Sequence, residues 1–195
     1  MTFDILSERK SDLIHHIKHF VWSGFYSKKQ ILHIIGNEIF SFSKSDLKLL
    51  GEMVGVEIAL KKAAEPNWPY PTDCDTLERV FDRLNQRGII AIENAGNSFS
   101  DGITAVSETL ERCQEAGLEP TGFCFYHGQD LEAAISNQQL FLAFGALSED
   151  ELTTIQIGNQ IVEELTVAGF EVIWNHTIDE RIVIHKIDWK KRGPV

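Results

Sequence analysis

Residues 88–98 read GIIAIENAGNS, and this stretch decides the fold because the hydrophobic period changes within it. Before it, apolar residues recur at helical spacing, whereas Ile89-Ile90-Ala91-Ile92 is a short run rich in β-branched side chains. The Asn, Gly and Ser residues that follow favour a loop. The stretch therefore predicts the first β-strand of the chain and the turn after it.

Helix and strand patterns alternate from this strand towards the C-terminus. Helices are predicted from about Asp101 to Gly117, from about Leu131 to Asn137, and from an N-cap at Ser148 to Ala168. Further strands are predicted at 122–126, 140–144, 170–174 and 181–185, the last two forming an antiparallel hairpin across their short joint.

The resulting order is βαβαβαββ, which predicts an α/β fold built on one mixed five-stranded sheet. Helical crossovers favour parallel, right-handed connections among the first four strands, and the hairpin adds an antiparallel strand. The alternative is a ferredoxin-like α+β layer in which some helix-linked strands are not adjacent.

An N-terminal helical region is predicted at residues 1–65. Its three helices lie at about 11–22, after the N-cap Ser27, and at about 45–64. Apolar residues from Leu47 to Leu60 cover more than half of the circumference of the third helix, so we expect it to be covered on two sides.

A proline-rich connector at residues 66–71 separates this region from the α/β domain, predicted at 72–195. Pro66, Pro69 and Pro71 disfavour helix and hold the chain extended. Thr72 and Asp75 then have the spacing of a capping box, which predicts a helix that ends before Gly88.

Composition limits the possible functions. The chain has 195 residues, 43% of them hydrophobic, and a net charge of -11, which argues against nucleic acid and anionic membranes as partners. No stretch resembles a signal peptide or approaches the roughly 20 apolar residues of a membrane span, so we expect a cytosolic protein. Its three cysteines suggest neither disulfides nor a zinc site, and no motif indicates a cofactor or a metal.

Polar residues follow the predicted strands at their C-terminal ends, where open α/β sheets bind ligands. These candidates are Asn94, Asn97, Ser98 and Asp101 after the first strand, His127, Gln129 and Asp130 after the second, and Gly145 after the third. His127 and Asp130 could act as a proton-transferring pair, because a carboxylate can orient an imidazole. The structural alternative is that Asp130 is the N-cap of the helix at Leu131 and that Ser100 or Asp101 caps its own helix.

Glu57 is the second candidate site, because it falls near the centre of the apolar arc of the third helix. A carboxylate buried there needs a partner or a raised pKa. It could therefore be a tuned acid or a metal ligand. Alternatively, it forms a structural ion pair with Arg79, Arg83 or a histidine, or lies at an interface that leaves it solvated.

Two other features favour structural roles. His15 and His19 have the i,i+4 spacing of a metal clasp, but both are predicted to face solvent without a third ligand. The basic tail at residues 188–192 is expected to be solvated, with Trp189 docked on the domain.

The stretch from Trp68 to Arg192 resembles an uncharacterised bacterial family, one of the domains of unknown function. The resemblance lies in short blocks: Thr72-Asp73-Cys74-Asp75, Gly88-Ile89, Asn94-Ala95-Gly96, Asp101-Gly102, Phe125-Tyr126-His127 with Gln129-Asp130, Leu142-Ala143-Phe144-Gly145, and Arg181-Ile182 leading to Trp189. It implies neither a reaction nor a ligand.

Two hypotheses about function follow. The first is a cytosolic acidic binding or regulatory module, of the immunity-protein kind, that recognises a protein partner by charge complementarity. The second is a small enzyme or small-molecule binder whose site is formed by Asn94, His127, Gln129 and Asp130. It requires these side chains to converge on one pocket.

Overall fold

The computed structural model describes residues 10–148 and 150–194, and the chain divides into two compact units. Unit 1 comprises the residues up to Tyr70 together with those from Lys190 onwards, and unit 2 comprises Pro71–Trp189. Within the described ranges, no helix combines the length and apolar character needed to cross a membrane.

Unit 1 is helical, as predicted. It contains α1 (Lys10–Ser23), α2 (Lys28–His33), which continues as a π-helical segment (Ile34–Ile39), and α3 (Lys44–Ala64). The predicted N-cap is confirmed, because the Ser27 hydroxyl accepts from the Gln30 N–H. The connector is less extended than expected: Glu65–Asn67 forms a 3₁₀ turn, in which Pro66 fits because the first turn of a helix needs no N–H from it.

One face of α3 lies in the core of unit 1, and a second apolar face does not. Leu50, Val54 and Ile58 are buried in a cluster with residues of α1 and α2. In contrast, Leu49, Val56 and Leu60 expose 43%, 62% and 55% of their surface. The expectation that this helix is covered on two sides is therefore wrong for the described residues.

The C-terminal tail packs on unit 1 instead of remaining solvated. The Lys191 ammonium lies 4.8 Å from the centre of the Phe25 ring, and Arg192 Nη2 donates to the Pro69 carbonyl at 3.0 Å. These contacts group residues from Lys190 onwards with unit 1, not with the α/β domain in which the sequence placed them. Trp189 is docked as expected: it is 8% exposed and makes an edge contact with Tyr126.

Unit 2 has the predicted α/β fold with a mixed five-stranded sheet. In chain order its elements are α4 (Asp73–Gln86), β1 (Ile89–Ile92), α5 (Phe99–Glu115), β2 (Gly122–Phe125), α6 (Gly128–Asn137), β3 (Gln139–Ala146), α7 (Glu151–Val167), β4 (Glu171–Ile173) and β5 (Ile182–His185). The sheet order is β1-β2-β3-β5-β4.

Helix starts match the sequence patterns to within a few residues. The capping box of Thr72 and Asp75 is confirmed. The N-cap of α5 is Ser98, however, and that of α7 is Asp150, not Ser148. In α7 the Asp150 carboxylate accepts from the Thr153 N–H at 2.8 Å, so the helix begins two residues later than predicted.

Strand direction departs from the prediction after β2. Strands β1 and β2 are parallel, but β3 is antiparallel to β2, with Ala143 opposite Phe125. The reason lies in the joints of α6, which are only two residues long before it and one residue long after it. Helix α6 spans about 15 Å. The first residue of β3 lies four residues, or about 13 Å, past the point where β2 ends, so the length of the helix matches this overhang. The chain thus runs outward along α6, reverses at Gln138 (φ 58°), and returns as β3.

This reversal divides β3 into two halves. Its second half pairs with β2, and its first half pairs with β5. Strand β5 also separates β3 from β4, so these two helix-linked strands are not adjacent, as in the ferredoxin-like alternative. Because β3 is reversed, Gly145 lies at the opposite end of the sheet from the loops after β1 and β2.

Helix α7 approaches the sheet closely at Gly158. A Cβ atom at this position would collide with the Trp174 ring and come within 2.9 Å of the Phe144 ring. The glycine therefore allows the two aromatic rings, which contact each other edge to face, to pack directly against the helix.

The outer edge of β1 is capped by a side chain. Asn85, at the end of α4, accepts from the Ala91 N–H at 2.9 Å and donates to the Ala91 carbonyl at 3.1 Å. Its amide thus takes the place of a neighbouring strand. Because unpaired edge groups are a template for strand addition, Asn85 protects this edge.

We predict that Asn85→Ala promotes self-association through β1, with a loss of stability of about 1 kcal/mol because the lost bonds are partly replaced by water. Sedimentation velocity over a concentration series should show larger species than the wild type. Gln86→Ala, on an equally exposed neighbour, is the control and should remain unchanged. Identical sedimentation of the two variants would contradict edge protection by Asn85.

Candidate functional site

His127 and Asp130 meet where β2 ends and α6 begins. The two residues after β2 lead directly into the helix, so His127 is its N-cap and Asp130 lies in its first turn. The His127 N–H donates to Asp130 Oδ2 at 3.1 Å, and His127 Nδ1 lies 3.2 Å from the same oxygen. Asp130 therefore caps the helix from its third position, whereas the predicted N-cap at Asp130 is wrong because His127 is the N-cap.

Arg181 is a third member of this cluster and comes from the start of β5. Its Nη1 donates to Asp130 Oδ1 at 2.7 Å, and its guanidinium lies 5.1 Å from the centre of the Phe141 ring on β3. The side chains of Asp130 and His127 are 3% and 5% exposed, whereas that of Arg181 is 42% exposed. One buried carboxylate thus connects β2, α6 and β5 across the middle of β3.

The environment of His127 favours its neutral form. Burial lowers the pKa of the imidazole; Asp130 opposes this shift, Arg181 adds to it, and Asp101 on α5 opposes it weakly. His127 Nδ1 lies 3.2 Å from Asp130 Oδ2 without forming a hydrogen bond to it. This geometry could orient a general base, but Arg181 already neutralises the carboxylate that would stabilise an imidazolium.

The other candidates, Asn94 and Gln129, lie in the loop and the helical turn beside this cluster. Asn94 is half-buried with φ 47°, in a loop held to the end of β2 because Ala95 N–H donates to the Tyr126 carbonyl at 2.8 Å. Gln129 is exposed on the first turn of α6. Four surface cavities of about 220 to 380 Å³ lie elsewhere, since neither His127 nor Asp130 lines any of the four.

The loop after β1 serves to start α5. Asp101 Oδ2 accepts from the backbone N–H groups of Asn97 and Ser98, both at 3.0 Å. These bonds and the Ser98 hydroxyl lower the pKa of Asp101. The polar residues of this loop therefore have local capping partners.

Glu57 is half-buried, and its partner is none of those considered from the sequence. Trp22 Nε1 donates to Glu57 Oε1 at 2.6 Å, which joins α1 to α3. The carboxylate also lines a cavity of about 280 Å³ between these helices. Glu57 thus lies at a surface groove and not in the core.

Histidines and cysteines form no metal centre among the described residues, where no three His, Cys, Asp or Glu side chains are placed to hold an ion. His15 is exposed, and His19 is half-buried. Cys74 and Cys124 are buried, and burial raises the pKa of the Cys124 thiol well above its usual range.

A comparison with protein families matches residues 7–193 to the family described as Domain of unknown function (DUF6891). The chain belongs to this family. The match confirms the resemblance to an uncharacterised domain family and extends it to the helices before Trp68, so this domain of unknown function includes both units. No curated protein and no solved structure matches the chain.

Sequence reasoning did not identify Arg181 as the partner of Asp130. The sequence does show that Arg181 is one of few basic residues in a strongly acidic part of the chain. A single arginine there indicates a carboxylate to pair with, but not which one.

We predict that Arg181→Met destabilises the protein by about 2 kcal/mol, less than the roughly 3–5 kcal/mol of a fully buried pair because Arg181 is half exposed. The cause is an unpaired carboxylate at Asp130. Adding Asp130→Asn removes this charge, so the double variant should be more stable than Arg181→Met alone in urea unfolding. If the second change lowers stability further, the carboxylate is not the cause of the loss.

We also predict that acidification weakens folding through His127. Its folded-state pKa lies below the ordinary value of 6.5, so the unfolded chain binds the proton more tightly. The stabilisation is complete above about pH 6.5 and is lost as the pH falls towards the folded-state pKa. His127→Asn should flatten this dependence in urea unfolding from about pH 7.5 to about pH 5, whereas the exposed His15→Asn should not.

Proposed function

We propose that this protein is a cytosolic binding or regulatory module that recognises a basic protein partner. The unequal distribution of charge between the two units supports the proposal. Residues 71–189 contain 21 of the 29 Asp and Glu residues but only 6 of the 18 Lys and Arg residues. The acidity therefore belongs to unit 2, while unit 1 carries a small excess of basic residues.

Several of these carboxylates lie on exposed side chains. On α5, an acidic ridge formed by Asp101, Glu108, Glu111 and Glu115 faces solvent along the helix. Like charges at this spacing do not stabilise a helix. They favour association with a positively charged surface, because complementary potentials accelerate encounter and select the partner.

A partner of this kind would be bound mainly through its own basic residues. By covering them, the module could block a positively charged functional surface, which is the mode of action of an immunity-like inhibitor. The sign of the charge argues against nucleic acid as the ligand of unit 2.

Catalysis at His127 and Asp130 is the alternative. It is favoured by one observation: the Asp130 carboxylate lies 3.2 Å from Nδ1 of an imidazole whose burial favours the neutral form. Against it, both side chains are almost fully buried, and the carboxylate is shared with Arg181 and a backbone N–H. We therefore assign this cluster to folding and place recognition at the charged surface.

The test is affinity capture from an extract of the native host at low salt, about 50 mM, and at high salt, about 500 mM. The wild type is compared with Glu108→Gln/Glu111→Gln, which removes two charges from the ridge. We expect a basic protein to be captured at low salt, to be released at high salt, and to bind the ridge variant several-fold more weakly, because each exposed charge contributes to long-range attraction.

The matched control is Asp12→Asn/Glu38→Gln, which makes the same change in net charge on unit 1. It should retain the partner. The proposal fails if no protein is captured at low salt, or if both variants bind the partner as the wild type does.

A further inference from the structure

A stripe of exposed apolar side chains runs along α3. It consists of Leu49, Met53, Val56 and Leu60, of which Met53 is half-buried and the others are exposed. Their spacing of four, three and four residues places them on one helix face and matches the a and d positions of heptads. The stripe is about 17 Å long, the length of three helical turns.

Of this stripe, only Met53 packs against the core of unit 1. The core face of α3, formed by Leu50, Val54 and Ile58, lies roughly 130° away around the helix. Three large apolar residues of one helix thus expose about half of their surface or more, although the helix already has a filled core face. Contiguous exposed apolar surface of this kind marks interaction sites.

A cavity of about 280 Å³ lies beside the stripe. Its walls are Ile14 and Ile17 of α1 and Met53, Val56 and Glu57 of α3. This volume is below that of most small-molecule sites, which begin at about 300 Å³. It suits one or two inserted side chains, as when a helix presents its anchors to a groove between two others.

Acidic side chains flank the stripe on both sides. Glu52 follows it on one side and is exposed; Glu57 lies on the other, where the Trp22 indole holds one carboxylate oxygen. The nearest basic residue of α3 on the first side, Lys48, lies further round the helix than Glu52. Glu57 is the one charged residue among the five that line the cavity.

We propose that the groove between α1 and α3 binds an amphipathic helix of a partner protein, with apolar residues at heptad spacing flanked by Lys or Arg where it passes α3. The apolar spacing selects a helix, and Glu52 and Glu57 select its basic flank. A second copy of this chain is a poorer occupant, because its own α3 would place carboxylates beside carboxylates. This surface is separate from the acidic ridge of unit 2.

The test uses two labelled synthetic helical peptides with the same leucine heptad stripe, one with Arg and one with Glu at the flanking positions. Fluorescence anisotropy with the full chain should show binding of the Arg peptide. Val56→Asp should weaken this binding about tenfold, as expected for a central contact of an interface. Val167→Asp, on an apolar residue 79% exposed on α7, is the control for nonspecific attraction and should bind as the wild type does.

A second pair of measurements tests the charge. Glu52→Gln/Glu57→Gln should reduce the preference for the Arg peptide over the Glu peptide about threefold. In a protein that also carries ridge substitutions on α5, Val56→Asp should weaken binding of the Arg peptide by the same factor as in the wild type. The proposal is overturned if Val56→Asp and a second stripe variant, Leu60→Asp, bind as the wild type does. It is also overturned if the wild type forms a dimer that Val56→Asp abolishes, or if binding occurs only after removal of residues 1–9, since the chain itself would then occupy the groove.

Discussion

The carboxylate of Asp130 is the contact on which the arrangement of unit 2 depends. It accepts from the N–H of its helix N-cap, lies against the imidazole of the same residue, and forms an ion pair with Arg181. The donors are the N–H of His127, which joins the end of β2 to the start of α6, and Arg181, which immediately precedes β5. A carboxylate buried to this degree must be compensated, so the three elements can meet only in a way that delivers all the donors.

These elements meet at Asp130 because β3 is divided into two halves. Strand β2 pairs with one half and β5 with the other, so neither strand continues past the middle of β3. The end of each strand would leave backbone N–H and C=O groups unpaired at the middle of β3. Helix α6 continues where β2 stops, and Arg181, just before β5, reaches across the Phe141 ring to the same place. The ion pair therefore links the two halves of the sheet, a role that needs burial and an exact set of partners but no substrate.

The sequence predicted most elements of the fold because their signals are local. The β-branched run at Ile89–Ile92, the capping box at Thr72 and the N-cap at Ser27 each depend on neighbouring residues. The direction of β3 was not predictable in this way, because it depends on the length of α6 and on a reversal at Gln138. The pair of His127 and Asp130 was identified, but the partner that defines its role, Arg181, is 51 residues away from Asp130. Spacing in the sequence carries no information about such a contact.

A pair such as His127 and Asp130 fits the pattern of a catalytic site and also that of a helix cap. Features that folding does not explain are therefore more informative about function. Capping bonds and one ion pair account for the polar cluster at the end of β2. Nothing in the core of unit 1 requires Leu49, Val56 and Leu60 to be apolar, and a charge-balanced surface would favour folding of unit 2 over one dominated by carboxylates. Both features oppose solubility or stability of the isolated chain. They are expected of surfaces that are covered or neutralised when a partner binds, and for this reason we propose recognition and not catalysis.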